Sequence, residues 1–169
     1  MKTTVCATLA SLVLVSCAAP ENRPPASVAS GDKCGGPERF VDRGDSVMDT
    51  RTGLTWRRCP VGQAFNKGTR SCQGGIYATD TLAKARRAAE SEAAASKQAW
   101  RLPNIDELSA VADKACAATV RSHMPGIYGA PMFTGSAAGA GKIYQFDPAQ
   151  NKRVAESEGD APGTVVLVR

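Results

Sequence analysis

The stretch Trp-Arg-Leu-Pro-Asn-Ile-Asp-Glu-Leu, residues 100–108, carries the strongest local structural signal in this chain. Asn104 followed three residues later by Glu107 is an Asn-led form of the capping box, and a proline directly before it is typical of a chain about to enter a helix. The pattern predicts a helix that begins at Asn104. Apolar residues then recur at helical spacing, so the buried face is predicted to comprise Ile105, Leu108, Val111, Ala112 and Ala115.

Three short strand-like runs lie upstream, at residues 39–42, 46–49 and 54–57. Polar segments that contain glycine, residues 43–45 and 51–53, separate these runs, and glycine suits a turn that needs positive φ. Together the runs and turns predict a β-meander. Side-chain alternation along a strand places four residues toward the interior: Phe40, Val47, Leu54 and Trp56.

The remaining elements complete an α+β pattern. A helix is predicted from Asp80, because an apolar stripe recurs at spacings of three and four residues, at Leu82, Ala85, Ala89 and Ala93. After Cys116 the chain is predicted to be irregular. Strands are then predicted at residues 132–134, 142–146 and 164–168, with loops at 135–141 and 156–163. Strands, two helices and further strands predict a single α+β domain.

The first residues have the pattern of a secretory signal peptide. Lys2 precedes an apolar run, residues 5–15, that is too short to cross a bilayer as a permanent helix. The run ends in Leu-Val-Ser-Cys, residues 14–17, which resembles the lipobox of bacterial lipoproteins, where the peptide is cleaved before the cysteine and the cysteine receives lipid. The alternative is an ordinary signal peptide cleaved elsewhere, for example after Ala19.

The lipobox interpretation predicts both the domain boundaries and the location of the protein. Residues 1–16 are the signal peptide, residues 17–37 are the lipidated Cys17 and a flexible tether rich in proline, alanine and serine, and residues 38–169 are the folded domain. Two or more acyl chains give stable anchoring, so the membrane is an expected partner through the N-terminal lipid. Ala18, by the rule of that family, indicates the outer membrane of the bacterial envelope.

The cysteines agree with export. Cys6 leaves with the signal peptide and Cys17 takes lipid, so four cysteines remain, and an even set in an oxidising compartment predicts two disulfides. Loop-closure entropy favours the pair that is nearest in sequence, which predicts the pairs Cys59–Cys72 and Cys34–Cys116 among three alternatives. A four-thiolate zinc site is the competing interpretation, but the spacing contains no Cys-x-x-Cys pair.

Three stretches resemble a known family, the Lcl C-terminal domain. They are residues 39–56, the motif at residues 100–108 and the closing residues 165–169. The resemblance implies a fold similar to C-type-lectin-like and formylglycine-generating-enzyme-like domains. It also implies a binding or adhesion scaffold, and it carries over no catalytic residues. The chain departs from the family at residues 133–137, Phe-Thr-Gly-Ser-Ala, where the family usually has a Trp-Ser-Ser-like strand.

Few residues suit catalysis or metal binding. The only histidine, His123, lies in a segment rich in proline and glycine, and no Ser-His-Asp set can be assembled without it. Asp42, Asp45 and Asp49 match no calcium-binding loop. We therefore expect no enzymatic activity, no cofactor and no metal. The export signal and the modest net charge of +5 do not indicate a nucleic-acid partner.

The best candidate for a binding surface is electrostatic. No acidic residue lies between Asp49 and Asp80, but several basic residues do. Four of these basic residues are predicted to bind a ligand: Arg57, Arg58, Lys67 and Arg70. A basic loop bounded by a disulfide suits a polyanionic glycan or an acidic envelope protein. The alternative is a solvated surface. Trp56 and Trp100 are interpreted as core residues, with a sugar-stacking role as the alternative.

The sequence therefore predicts an envelope lipoprotein with a non-catalytic binding or adhesion domain. The alternative function is that of a structural subunit of an envelope complex or of a periplasmic hydrolase inhibitor.

Overall fold

The structure is a computed structural model, and it describes residues 34–169. The predicted signal peptide, the predicted lipidation of Cys17 and the tether up to residue 33 lie outside the described residues. Within residues 34–169, no helix is long and apolar enough to cross a membrane.

The predicted β-meander is confirmed. After a short 3₁₀ turn, Pro37–Arg39, the strands β1 (Phe40–Asp42), β2 (Ser46–Asp49) and β3 (Thr55–Arg57) form an antiparallel sheet in the order β1-β2-β3. Both turns contain a glycine with positive φ, 79° at Gly44 and 71° at Gly53, a conformation that glycine adopts without steric cost. Phe40, Val47 and Trp56 are buried as predicted, and Leu54 is half-buried against the same core.

A small hairpin follows that the sequence analysis did not predict. It consists of β4 (Ala64–Asn66) and β5 (Ser71–Gln73), and β6 (Ala78–Thr79) comes after it. The Cys59–Cys72 disulfide closes this loop, and Cys34–Cys116 joins the start of the domain to its helices, so both predicted pairs are confirmed. The loop packs tightly beside Gly126, where a Cβ atom would stand only 2.3 Å from Cδ of Pro60.

Both predicted helices are present. α1 spans Leu82–Ser96 and begins at an N-cap one residue later than predicted, because the Thr81 side chain accepts from the N–H of Lys84. α2 spans Ile105–Val111, and its reciprocal capping box between Asn104 and Glu107 is formed as predicted.

The region after α2 corrects two predictions. Ala115 is exposed rather than buried, since α2 ends at Val111 and a 3₁₀ turn, Lys114–Cys116, follows. The segment after Cys116 is not irregular throughout, because α3 occupies Ala117–His123.

The second half of the domain forms a five-stranded sheet. Its later strands are β7 (Met132–Gly139), β8 (Lys142–Asp147), β9 (Lys152–Ser157) and β10 (Gly163–Thr164), and the order is β6-β10-β7-β8-β9. The predicted loop at residues 135–141 was mostly wrong, because β7 continues to Gly139. The polar strand β9 was missed altogether. The α+β class is confirmed, whereas the finer likeness to C-type-lectin-like domains stays a prediction.

The last residues lie between two hydrophobic cores. Val166 and Val168 pack in the core that contains the meander and α2, whereas Val165 and Leu167 pack in the core that contains α1. Only Thr164 of the predicted strand 164–168 belongs to a β-ladder, but the residues after it make backbone bonds on both sides. Arg57 N–H donates to the carbonyl of Leu167 at 3.0 Å, and the N–H and C=O of Val168 bond those of Arg101 at 3.0 Å.

We predict that Leu167→Ala lowers the free energy of unfolding by about 2–5 kcal/mol, because the fully buried side chain would leave a cavity. Val41→Ala serves as the control, since Val41 is 38% exposed on an outer strand. Chemical denaturation of both variants measures the difference. Similar losses for the two variants would contradict a central packing role for the C-terminal segment.

Candidate functional site

Arg58, one of the predicted ligand-binding residues, is buried and ties three elements together. Its Nε donates to the carbonyl of Gly44 at 2.7 Å, and its Nη1 donates to the carbonyl of His123 at 2.8 Å. Its Nη2 lies 2.7 Å from a carboxylate oxygen of Asp42. The guanidinium also stacks on the ring of Phe65 at 4.6 Å. Only 2% of Arg58 is exposed, so its predicted role in a binding surface was wrong. The side chain instead stabilises the contact between the elements that it bonds.

Arg70 and Lys67 lie on the hairpin inside the disulfide loop. Nη2 of the exposed Arg70 donates to the carbonyl of Ser122 at 2.9 Å, which attaches the hairpin to α3. Lys67 is exposed beside the β1–β2 turn. The N–H of Gly44 is the largest influence that lowers the pKa of Asp42, and the charges of Arg58 and Lys67 lower that pKa further.

Arg57 lies in a different place from the other three predicted cations. It is the last residue of β3, and its side chain forms an ion pair with Glu92 of α1, whereas Arg58 bonds to Gly44, His123 and Asp42. The structure therefore does not bring Arg57, Arg58, Lys67 and Arg70 together as one surface.

Arg57 instead lines an open cleft of about 300 Å³, which we call the Trp100 cleft. The sides of this cleft come from the β1–β2 turn, strands β2 and β3, the end of α1 and the last residue of the chain. Its cations are Arg43, Arg57 and Arg169, its acids are Asp45 and Glu92, and its neutral residues are Ser46, Ser96, Gln98 and Trp100.

Trp100 is half-buried, in contrast to the fully buried Trp56. The guanidinium of Arg169 lies over its ring, 5.2 Å from the centroid. A second and more apolar cleft of about 240 Å³ also reaches the indole, with Ala89, Leu102 and Gly135 in its lining. Trp100 therefore borders two clefts, so the core-only interpretation of this residue does not describe it fully.

The motif at residues 100–108 positions this tryptophan. The Arg101 backbone is bonded to Val168, and its guanidinium donates to both carboxylate oxygens of Glu107 at 2.7 and 2.8 Å. Glu107 also accepts from the N–H of Asn104 at 2.8 Å. The hydrogen bonds from Arg101 are the largest influence that lowers the pKa of Glu107. The charged pair thus holds the start of α2 beside the indole.

Most of the residues weighed for catalysis and calcium binding have structural partners, whereas Asp45 lines the Trp100 cleft. His123 stacks on Phe40 with ring centroids 5.0 Å apart, and its Nδ1 lies 3.0 Å from the carbonyl of Thr119. Asp49 is fully buried in an ion pair with Arg39 at 2.7 Å. Within residues 34–169, no group of three histidine, cysteine, aspartate or glutamate side chains is arranged to hold a metal ion.

Sequence reasoning missed most of the Trp100 cleft. Arg43, Glu92 and Arg169 belong to three distant segments, and none carries a local pattern that would relate it to the others. Arg57 alone was among the predicted binding residues.

The fold and the cleft together define a small, disulfide-bonded α+β domain with an arginine-lined surface cleft. The family model of the Lcl C-terminal domain matches residues 45–169, and the chain belongs to that family. No curated protein matches the chain. The family match begins at residue 45, inside the β1–β2 turn, so β1 and Cys34 lie before the matched segment. Both still belong to the same domain, because β1 pairs with β2 and Cys34 forms a disulfide with Cys116.

We predict that Arg58→Met lowers the free energy of unfolding by at least about 2 kcal/mol, because two carbonyl acceptors lose their donor. The matched control is Lys67→Met, an exposed change expected to stay within about 0.5 kcal/mol. Thermal or denaturant unfolding measures both variants. A stable Arg58→Met protein would contradict the structural role.

Proposed function

We propose that this chain is an envelope lipoprotein whose domain binds polyanionic glycan without chemistry, and that the ligand binds in the Trp100 cleft. The observation that carries the proposal is the presence of three arginines and a half-buried tryptophan around one open cleft. This proposal moves the recognition site away from the predicted basic set, because Arg58 is buried and Arg70 of the disulfide loop bonds to α3.

The chemistry of the cleft suits acidic sugars in particular. A guanidinium binds carboxylate or sulfate through two parallel N–H donors, which supports recognition of an anionic group by Arg43, whereas Arg57 is already paired with Glu92. Because the guanidinium of Arg169 lies over the ring of Trp100, a sugar ring would contact the indole where it borders the more apolar cleft. Asp45 and Glu92 add acceptors for sugar hydroxyls. The mixed charge of the cleft favours a ligand with both hydroxyl and anionic groups over a simple inorganic anion.

A binding role without catalysis is supported by the way reactive side chains are used. All four cysteines of residues 34–169 lie in disulfides, and the ring of His123 contacts Phe40 and the carbonyl of Thr119. A nucleophile and a base within hydrogen-bond distance are the signature of covalent catalysis. The polar groups of the cleft contain arginines and carboxylates but neither histidine nor cysteine.

The proposed location depends on the sequence of residues 1–18. The lipobox-like segment before Cys17 supports lipidation and membrane anchoring, and Ala18 supports the outer membrane. The proline-rich tether would let the domain reach a ligand away from the lipid surface. Nucleic acid is not a proposed partner.

A second candidate function is that of an envelope-complex subunit or a periplasmic hydrolase inhibitor. Two adjacent apolar residues favour a protein partner, because Ile76 is 48% exposed and Tyr77 is 38% exposed. Aromatic residues commonly anchor protein interfaces. A protein partner of this kind would bind independently of the Trp100 cleft, so variants of the cleft separate the two functions.

For glycan binding, we expect Trp100→Ala and Arg43→Gln each to weaken binding to immobilised heparin by about threefold to tenfold or more. The protein used begins at Ala18, because both hydrophobic cores and both disulfides lie within residues 34–169. Binding should also decrease as salt rises, since screening weakens contacts between exposed charges. Biolayer interferometry at two salt concentrations measures both effects.

The matched control is Lys67→Gln, which removes the same charge from the disulfide loop. It should leave heparin binding almost unchanged. If Lys67→Gln weakens binding and Arg43→Gln does not, recognition belongs to the loop and the proposed site is wrong. If unaltered protein does not bind heparin or an acidic polysaccharide such as alginate, the glycan proposal itself fails.

For membrane anchoring, we expect Cys17→Ala to yield a soluble or uncleaved protein, because the acceptor for lipid is removed. Globomycin should make the precursor of the unaltered protein accumulate. Cys6→Ala is the control, since it changes the other N-terminal cysteine. Membrane fractionation and labelling with a fatty acid measure the outcome. A Cys17→Ala protein that is still cleaved, still labelled by fatty acid and still retained in the membrane would contradict lipidation at this residue.

A further inference from the structure

Strand β9 lies at one edge of the five-stranded sheet. It pairs with β8 along its whole length, from Lys152 opposite Asp147 to Ser157 opposite Lys142. Its other side pairs with no strand among residues 34–169, although Ser157 at the end of β9 forms an isolated bridge with Asp160. A strand edge of this length presents a row of backbone groups to which another strand can add.

The outward backbone groups of β9 can be identified from the ladder. The N–H of Glu158 donates to the carbonyl of Gly141 at 3.1 Å, on the β8 side. Alternate residues of an antiparallel strand direct their backbone groups to the same side, so Val154 and Glu156 bond toward β8. The N–H and C=O groups of Arg153 and Ala155 therefore point away from β8.

The side chains of β9 form a self-complementary pattern. Lys152, Val154 and Glu156 share one face of the strand, with the half-buried Val154 between opposite charges. Arg153 lies on the other face, where it forms an ion pair with Asp106 of α2 at 2.7 Å. If a second copy of β9 is placed beside the first, related to it by a two-fold axis at Val154, each Lys152 lies opposite a Glu156.

We propose that β9 pairs with β9 of a second copy of this chain, antiparallel about a two-fold axis at Val154. Each Val154 then lies opposite its own copy in a non-hydrogen-bonded pair. Lys152 of each chain lies opposite Glu156 of the other chain. Arg153 and Ala155 exchange backbone hydrogen bonds across the axis, and the two sheets become one sheet of ten strands.

The charges favour this register over its neighbour. A shift by two residues in either direction would also satisfy outward backbone groups, but it would set Val154 opposite Glu156 or Lys152 instead of opposite itself. Opposite-charge and apolar cross-strand pairs both stabilise an antiparallel sheet, whereas an apolar residue opposite a charged one forms neither kind of pair.

The first test is sedimentation velocity of the chain from Ala18 over a rising concentration series. The unaltered protein should show a monomer–dimer equilibrium. Lys152→Glu places glutamate opposite glutamate twice in the dimer, so it should raise the dimer dissociation constant by about tenfold or more. The double variant Lys152→Glu with Glu156→Lys restores both pairs and should restore the dimer. Lys114→Glu, an equal change on an exposed turn, should have little effect.

The second test distinguishes the register by cross-linking. Cα atoms of a non-hydrogen-bonded pair lie about 4.5 Å apart, which a disulfide can span. Val154→Cys should therefore form a covalent dimer on a non-reducing gel. Ala155→Cys should form no covalent dimer and should run as a monomer on the same gel. A protein that stays monomeric at every concentration would overturn the proposal. A dimer that is insensitive to Lys152→Glu, or a cross-link at Ala155 without one at Val154, would overturn it too.

Discussion

The alternating burial of residues 165–168 is the constraint on which the rest of this domain depends. Val166 and Val168 fill one hydrophobic core while Val165 and Leu167 fill the other. The backbone of the same segment bonds β3 on one side and Arg101 on the other. Because side chains of an extended chain alternate between faces, a slip of one residue would send all four side chains to the wrong core. The segment thereby determines how the meander and the helices meet.

The two buried arginines of the domain, Arg39 and Arg58, serve the scaffold. Arg39 and Asp49 form a fully buried ion pair. The guanidinium of Arg58 donates hydrogen bonds to two backbone carbonyls and forms an ion pair with one carboxylate. A guanidinium has five N–H donors in a rigid plane, so one arginine can join several elements that share no regular hydrogen bonds. A charge excess in the sequence is therefore a weak indication of a charged binding surface in this protein.

The Trp100 cleft depends on the same scaffold. The indole of Trp100 is held in place because the next residue, Arg101, bonds the C-terminal segment through its backbone and Glu107 through its side chain. Arg57 is oriented by Glu92 of α1. A proposed ligand would thus meet side chains that are already positioned, which reduces the entropy lost on binding. The neighbouring apolar cleft extends the surface that such a ligand can use.

The sequence by itself determined the elements whose signals are local: the meander with its glycine turns, the helices α1 and α2, and the capping box at Asn104. It also favoured the correct disulfide pairing among three alternatives, because loop closure favours near partners, and the structure confirms that pairing. Only the tertiary structure decided the short hairpin in the disulfide loop, the polar strand β9, the burial of Arg58 and the assembly of the Trp100 cleft. Periodicity acts within a window of a few residues, whereas Arg43 and Arg169 share a cleft only because distant segments pack together.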